Sequence, residues 1–97
     1  MLNQRTREEL RVAVLEYLAD RSTLAFEVPA IHRWITTRRT DLDETPGEQD
    51  VKEALLFLEG SGYVAGTPHP MGATLYWRVT AAGTVARERG PLPARPI

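Results

Sequence analysis

The sequence predicts one α+β domain: a core of three helices, a small antiparallel sheet of two or three strands, and a short C-terminal helix. Apolar residues recur at helical spacing through the first part of the chain. A segment rich in β-branched and aromatic residues then follows the glycines at 60 and 62. A chain of 97 residues is too short to build two cores. We therefore expect one domain over residues 1–90 and a proline-rich tail over 91–97.

The first helix is predicted over about 7–20 from its start signal and its apolar spacing. Its start carries TREE (6–9), which is typical of a capping box, where a threonine and a glutamate side chain each accept a backbone N–H. Its apolar face consists of Leu10, Val14, Tyr17 and Leu18. The stretch LAFEV (24–28) that follows is apolar enough for a brief strand.

The second helix is predicted to begin at Pro29, because proline at the first helical position leaves no N–H without a partner. Its apolar side would be formed by Ile31, Trp34 and Ile35. We expect it to end near Arg38, where a polar loop over 38–44 begins.

The third helix has the clearest start signal, TPGE (45–48), a second capping box with Pro46 at the first helical position. Gly60 and Gly62 are expected to supply the left-handed residues that end the helix. Its predicted buried stripe is Val51, Ala54, Leu55 and Leu58.

A β-hairpin is predicted from residues 63–65 and TLYWRVT (74–80), joined by the turn-forming GTPHPMGA (66–73). Thr80 can then cap a last helix over 81–90, with Val85 and Ala86 facing inward and Gly83 weakening it. The aromatic residues expected in the core are Trp34, Phe57, Tyr63 and Tyr76.

This order of elements resembles a winged helix-turn-helix domain. The likeness covers about 7–90 and rests on VKEALLFLEGSGYV (51–64), a helix–glycine–strand junction, and LYWRVTAAG (75–83), a strand leading into a helix. More distantly, LEGSGYV (58–64), VTAAG (79–83) and the basic, proline-rich tail resemble small ArsR-like winged-helix proteins of transposable tailed phages. The metal-sensing cysteines of ArsR-type sensors are absent, so metal sensing is not implied.

Composition predicts a cytoplasmic protein that does not enter a membrane. No apolar run approaches the ~18 residues of a spanning helix, and the N-terminus has no apolar signal segment. The chain has no cysteine, which excludes disulfides and thiolate metal sites.

Charge is unevenly distributed along the chain. The overall net charge of −1 counts mildly against a dedicated nucleic-acid binder. Residues 41–53, however, hold six acids and one lysine, so this segment carries −5 and the rest of the chain +4. The basic residues are therefore concentrated outside the acidic segment.

Nothing in the sequence predicts an enzyme or a cofactor. His32 and His69 are far apart and lack the spacing of a zinc ligand pair. The acid pairs Asp41/Asp43 and Glu48/Glu53 lie in a polar loop and on an exposed helix face, whereas a catalytic carboxylate needs burial or a perturbing neighbour.

The winged-helix resemblance implies binding to double-stranded DNA, with the third helix in the major groove and the hairpin loop beside it. The groove-facing candidates are Thr45, Gln49, Lys52 and Glu53; Gln49 can pair with adenine, and Lys52 with guanine or phosphate. The candidates for phosphate contacts are Arg33, Arg38 and Arg39 near the helices, and His69 and Arg78 near the hairpin loop.

Two alternatives remain open, because acids near phosphate oppose DNA binding. In the first, Arg38 and Arg39 are neutralised by Asp41, Asp43 or Glu44. In the second, the acidic third helix binds a protein with a basic face, through Glu48, Asp50, Glu53 and an exposed Trp77. A homodimer through the first and last helices, with Leu2, Leu92 and Ile97 as extra apolar surface, is also predicted.

Overall fold

A computed structural model describes residues 2–68, 71–72 and 74–89. The elements are α1 (Gln4–Ala19), α2 (Val28–Arg38), α3 (Glu48–Gly60), β1 (Val64–Pro68), β2 (Leu75–Val79) and α4 (Ala81–Glu88). The two strands pair antiparallel, with Val64 opposite Val79 and Gly66 opposite Trp77. The predicted α+β fold class is confirmed, and this arrangement is consistent with a winged helix-turn-helix.

The start of α1 differs from the prediction. Asn3, rather than Thr6, is the N-cap, and its Oδ1 accepts the Thr6 N–H at 2.8 Å. Thr6 is fully buried inside the helix, so the capping box at 6–9 is wrong. Asparagine caps as well as threonine does, and the earlier start lets Leu2 pack into the core at 5% exposure. The prediction of Leu2 as free apolar surface is therefore also wrong.

The start of α3 is also displaced from the predicted capping box at 45–48. Gly47 is the N-cap, and the Asp50 carboxylate accepts the Gly47 N–H at 2.8 Å. Pro46 lies outside the helix, buried, and its carbonyl accepts a hydrogen bond from His32 Nε2 at 2.9 Å. This bond joins α2 to the segment that leads into α3.

The core lies between the three helices and one face of the hairpin. The predicted stripe of α3 is confirmed, since Val51, Ala54, Leu55 and Leu58 are all buried. They pack with apolar residues of α1, α2 and the sheet, the largest fully buried of which are Leu10, Leu15, Leu18, Ile31, Ile35 and Trp77.

The aromatic residues are distributed differently from the prediction. Phe57, expected inside, is 41% exposed, whereas Trp77 is 1% exposed. Trp34, Tyr63 and Tyr76 are half-buried. Trp77 lies on the same buried face of β2 as Val79, and its backbone pairs with Phe26 in an isolated bridge, with N–O distances of 2.7 and 2.9 Å. The brief strand expected over 24–28 is reduced to this bridge.

In the last helix, the predicted cap at Thr80 is confirmed, and Gly83 has a packing role that was not predicted. Thr80 Oγ1 accepts the Gly83 N–H at 3.1 Å. Gly83 is buried, and a Cβ there would overlap the Tyr63 carbonyl oxygen and lie 2.7 Å from Val79 Cγ2. The glycine therefore permits close packing of α4 on the sheet. Val85, expected to face inward, is exposed.

The helix stop after α3 uses one of the two predicted glycines. Gly62 has a φ of 82° and is the left-handed residue. Gly60 is the last residue of α3 and does not have a positive φ.

Candidate nucleic-acid interface

The outer face of α3 carries the predicted groove-facing side chains. Gln49, Lys52 and Glu53 are exposed, while the apolar stripe on the inner face of α3 is buried. Gln49 Nε2 lies 3.5 Å from Glu53 Oε2, as expected for side chains one helical turn apart. Thr45 is exposed in the loop before the helix.

Lys52 also lines a groove of about 280 Å³ between three elements. One wall comes from the N-terminal end of α2 and another from the start of β2, where Thr74 Oγ1 donates to Glu27 Oε2 at 2.7 Å. Among the described residues, Lys52 makes no hydrogen bond or ion pair. Its ammonium group is therefore free to meet an external anion or base.

Several acids of the segment 41–53 and its surroundings already have partners within the chain. Asp50 accepts the Gly47 N–H, Asp41 binds Arg39, and Glu44 Oε1 accepts the Asn3 N–H at 2.8 Å. Glu59, further along α3, accepts the Gly66 N–H at 3.4 Å and so joins the helix to β1. Much of the negative charge near α3 is thus used to connect elements.

The arginines predicted to hold phosphate fall into two kinds. Arg33 and Arg38 are exposed on α2, and neither makes an ion pair with a described residue. Arg39 is different, since its Nε and Nη2 donate to the two carboxylate oxygens of Asp41 at 2.9 and 3.1 Å. This pairing lowers the pKa of the Asp41 carboxyl and raises the pKa of Arg39. The predicted neutralisation therefore applies to Arg39 and not to Arg38.

The hairpin candidates lie in different surroundings. Arg78 is exposed on β2, beside the inward Trp77, so it points to the opposite face of the hairpin. His69 lies outside the described residues.

One flank of α3 has a feature that the sequence analysis missed. Arg7 and Arg11 of α1 face Asp50 and Glu53 of α3 across a small cavity of about 70 Å³. The Arg11 guanidinium carbon lies 3.6 Å from the centre of the Phe57 ring. Burial, and then the charge of Arg7, lower the pKa of Arg11. No pattern in the local sequence predicts this contact, because it joins residues on two separate helices.

The predicted protein-binding surface needs one correction. Trp77 is buried, so it cannot contact a partner from its present position. Glu48 and Glu53 are exposed, and Asp50 is half-buried against Gly47. Leu56 and Phe57 lie beside them on α3, 47% and 41% exposed.

Within the ranges that the structure describes, no group of three or more His, Cys, Asp or Glu residues is placed to hold a metal ion. No helix in those ranges has the length and apolar character needed to cross a membrane.

A solved structure resembles the chain as a whole. The structure of a transcriptional regulator, Cth-833, from Clostridium thermocellum superposes with a TM-score of 0.70 over 92% of this chain and 84% of that one, at 19% sequence identity. No protein-family model matches the chain, and no curated protein matches it. At this identity the likeness shows a shared fold.

Proposed function

We propose that this chain is a small, non-enzymatic DNA-binding protein of the transcription-regulator type, with a winged helix-turn-helix fold and a cytoplasmic location. The observation that carries the proposal is the outer face of α3, where Gln49 and Lys52 are exposed while Asp50 and Glu59 are held by the backbone of this chain. The likeness to a transcriptional regulator supports the same conclusion.

In the proposed complex, α3 enters the major groove and the hairpin lies against the adjacent backbone. Gln49 and Lys52 contact base edges, and Thr45 contacts a phosphate at the start of the helix. Arg33 and Arg38 bind phosphates from α2, and His69 and Arg78 do so from the hairpin. Arg39 contributes less, because it must first give up its two hydrogen bonds to Asp41.

A salt series on a pool of random duplexes of about 20 base pairs, followed by fluorescence anisotropy, tests this proposal. We expect Arg38→Ala to weaken binding to all sequences and to reduce the slope of log K against log salt by about 1. Arg39→Ala should have a smaller effect. Arg89→Ala is the matched control, since Arg89 is an exposed arginine at the C-cap of α4 and is not among the proposed DNA contacts. Absence of binding by the unaltered protein at low salt would refute the proposal.

A protein partner with a basic face is the second candidate, favoured by the exposed Leu56 and Phe57 beside Glu48 and Glu53. An apolar centre with a charged rim is the usual composition of such an interface. Reversing Glu48 and Glu53 to Lys should abolish this binding, whereas the same change should strengthen binding to DNA. Asp50 is left unchanged because it caps α3.

The resemblance to phage proteins bears on this second candidate function and on the origin of the gene. If the gene lies in a prophage beside capsid or tail genes, a particle component becomes the natural partner, and an isolated regulatory locus argues against it. The proposed homodimer is a separate matter that sedimentation of the purified chain decides. Its predicted contacts Leu92 and Ile97 lie outside the described residues.

A further inference from the structure

We propose that Glu53 is a base-reading residue, which makes α3 select, at one position of one DNA strand, a base with an exocyclic amino group in the major groove, with cytosine preferred. This inference rests on the proposed DNA binding and adds to it the class of site that is bound. It gives a direct role in base recognition to an acid, although the negative charge of DNA repels a carboxylate.

Glu53 differs from the other acids of α3 in having no task within the fold, since Glu48 lies in the first turn, where a negative charge stabilises the start of the helix, and Asp50 and Glu59 bind backbone N–H groups. Asp50 accepts the Gly47 N–H at 2.8 Å, and Glu59 accepts the Gly66 N–H at 3.4 Å. Glu53 is exposed and makes no ion pair within 4.0 Å of any described cation, although Arg7 and Arg11 lie across a small cavity from it. Within the described residues, Glu53 has a hydrogen-bond partner in the amide of Gln49, at 3.5 Å.

The Gln49–Glu53 contact determines which groups this face presents. When one N–H of the Gln49 amide donates to Glu53, its second N–H and its carbonyl oxygen remain available. The ionised Glu53 carboxylate can also only accept. Glu53 therefore presents only acceptors on the outer face, while Gln49 and Lys52 beside it supply donors.

Base edges in the major groove respond differently to such a face. Cytosine N4 and adenine N6 donate hydrogen bonds, whereas guanine O6 and N7 and thymine O4 accept. A carboxylate is thus attracted to cytosine or adenine and repelled by guanine or thymine. Cytosine is preferred because its guanine partner offers two acceptors, O6 and N7, to the adjacent Lys52, whereas the thymine partner of adenine offers only O4.

The acid also changes the balance between affinity and specificity. A carboxylate near phosphates weakens binding to every sequence, because it opposes counterion release. Only sites that place an amino group opposite Glu53 recover this loss. We therefore expect weak non-specific binding together with strong discrimination at one position.

Selection from a random duplex pool at about 50 mM salt, followed by sequencing, tests the proposal with the full chain. The variants are Glu53→Gln and Glu48→Gln, which remove the same charge from exposed positions of α3. Both should raise the general affinity. Only Glu53→Gln should relax the preference at one position, since an amide can also donate to guanine or thymine. Circular dichroism should show the same helix content in all three proteins.

A second arm removes the amino group from the DNA instead of the acid from the protein. In the selected site, the preferred cytosine is replaced by 2-pyrimidinone, which lacks the N4 amino group. The unaltered protein should lose roughly 5- to 100-fold in affinity, and Glu53→Gln should lose little.

Each outcome decides a different statement. If the unaltered protein binds no duplex of the pool, both the proposed function and this inference fail. If it binds but Glu53→Gln keeps the same base preference, DNA binding stands and the role of Glu53 is overturned. Equal changes in preference for Glu48→Gln and Glu53→Gln would also overturn it, because the effect would then come from charge alone.

Discussion

The inner and outer faces of α3 obey different rules. On the inner face, Val51, Leu55 and Leu58 are all 0% exposed and pack against the other helices. On the outer face, some charged side chains form hydrogen bonds to the backbone of this chain, whereas others are exposed to solvent without such a bond. The comparison teaches that periodicity alone decides the inner face, whereas the role of an outer charge depends on which partner the fold brings to it.

The largest expected effect compares neighbours on the two faces. Leu55→Ala should destabilise the fold by about 2–5 kcal/mol, because it leaves a cavity in the core. Leu56→Ala should change stability by no more than about 0.5 kcal/mol, since Leu56 is 47% exposed. Urea unfolding of both variants measures this difference. Equal losses would mean that the two faces are wrongly assigned.

The next largest effect is expected from a comparison of two glycines, Gly83 and Gly60. Gly83→Ala should cost about 1–3 kcal/mol or more, because its Cβ would overlap the Tyr63 carbonyl oxygen. Gly60→Ala should instead stabilise by about 0.4–1 kcal/mol, since no atom lies within 4 Å of its Cβ position. Thermal unfolding distinguishes them, and a harmless Gly83→Ala would contradict the close packing of α4.

A smaller effect divides the outer acids themselves. Asp50→Ala should destabilise α3 by about 1 kcal/mol, because the Gly47 N–H loses its acceptor and the helix start loses a favourable charge. Glu53→Ala should stay within about 0.5 kcal/mol. Helix content and urea midpoints provide the measurement. An equally large loss for Glu53→Ala would show that this acid also has a task within the fold.

The smallest effect concerns the exposed Arg39–Asp41 pair and its pH dependence. The hydrogen bonds from Arg39 lower the pKa of Asp41 in the folded state below its ordinary 3.8. The pair therefore stabilises the fold above pH ~4, and the contribution is lost as the pH falls through the lowered pKa. Asp41→Asn should flatten stability against pH in that acid range, and Arg39→Gln should do the same. A slope unchanged in both variants would show that the pair forms only transiently.

These comparisons also show how far the sequence could predict the site. The exposed positions Gln49, Lys52 and Glu53 follow from the buried stripe, because residues on a helix alternate faces with a period of 3.6. Whether each charged side chain is paired or unpaired does not follow from this periodicity. Arg38 and Arg39 are adjacent and alike in sequence, yet only Arg39 reaches a carboxylate.

The order of elements and the inner stripe of α3 were determined by the sequence itself, because apolar periodicity and helix-stop glycines are local signals. The tertiary structure decided where α1 and α3 begin, since several residues near each start could cap and the burial of Leu2 and Pro46 selected among them. It also decided that Trp77 faces inward, because alternation along a strand leaves two choices and the packing of one face of the hairpin on the helices selected one. Partners that lie far apart in sequence meet only after folding, so no local pattern can reveal them.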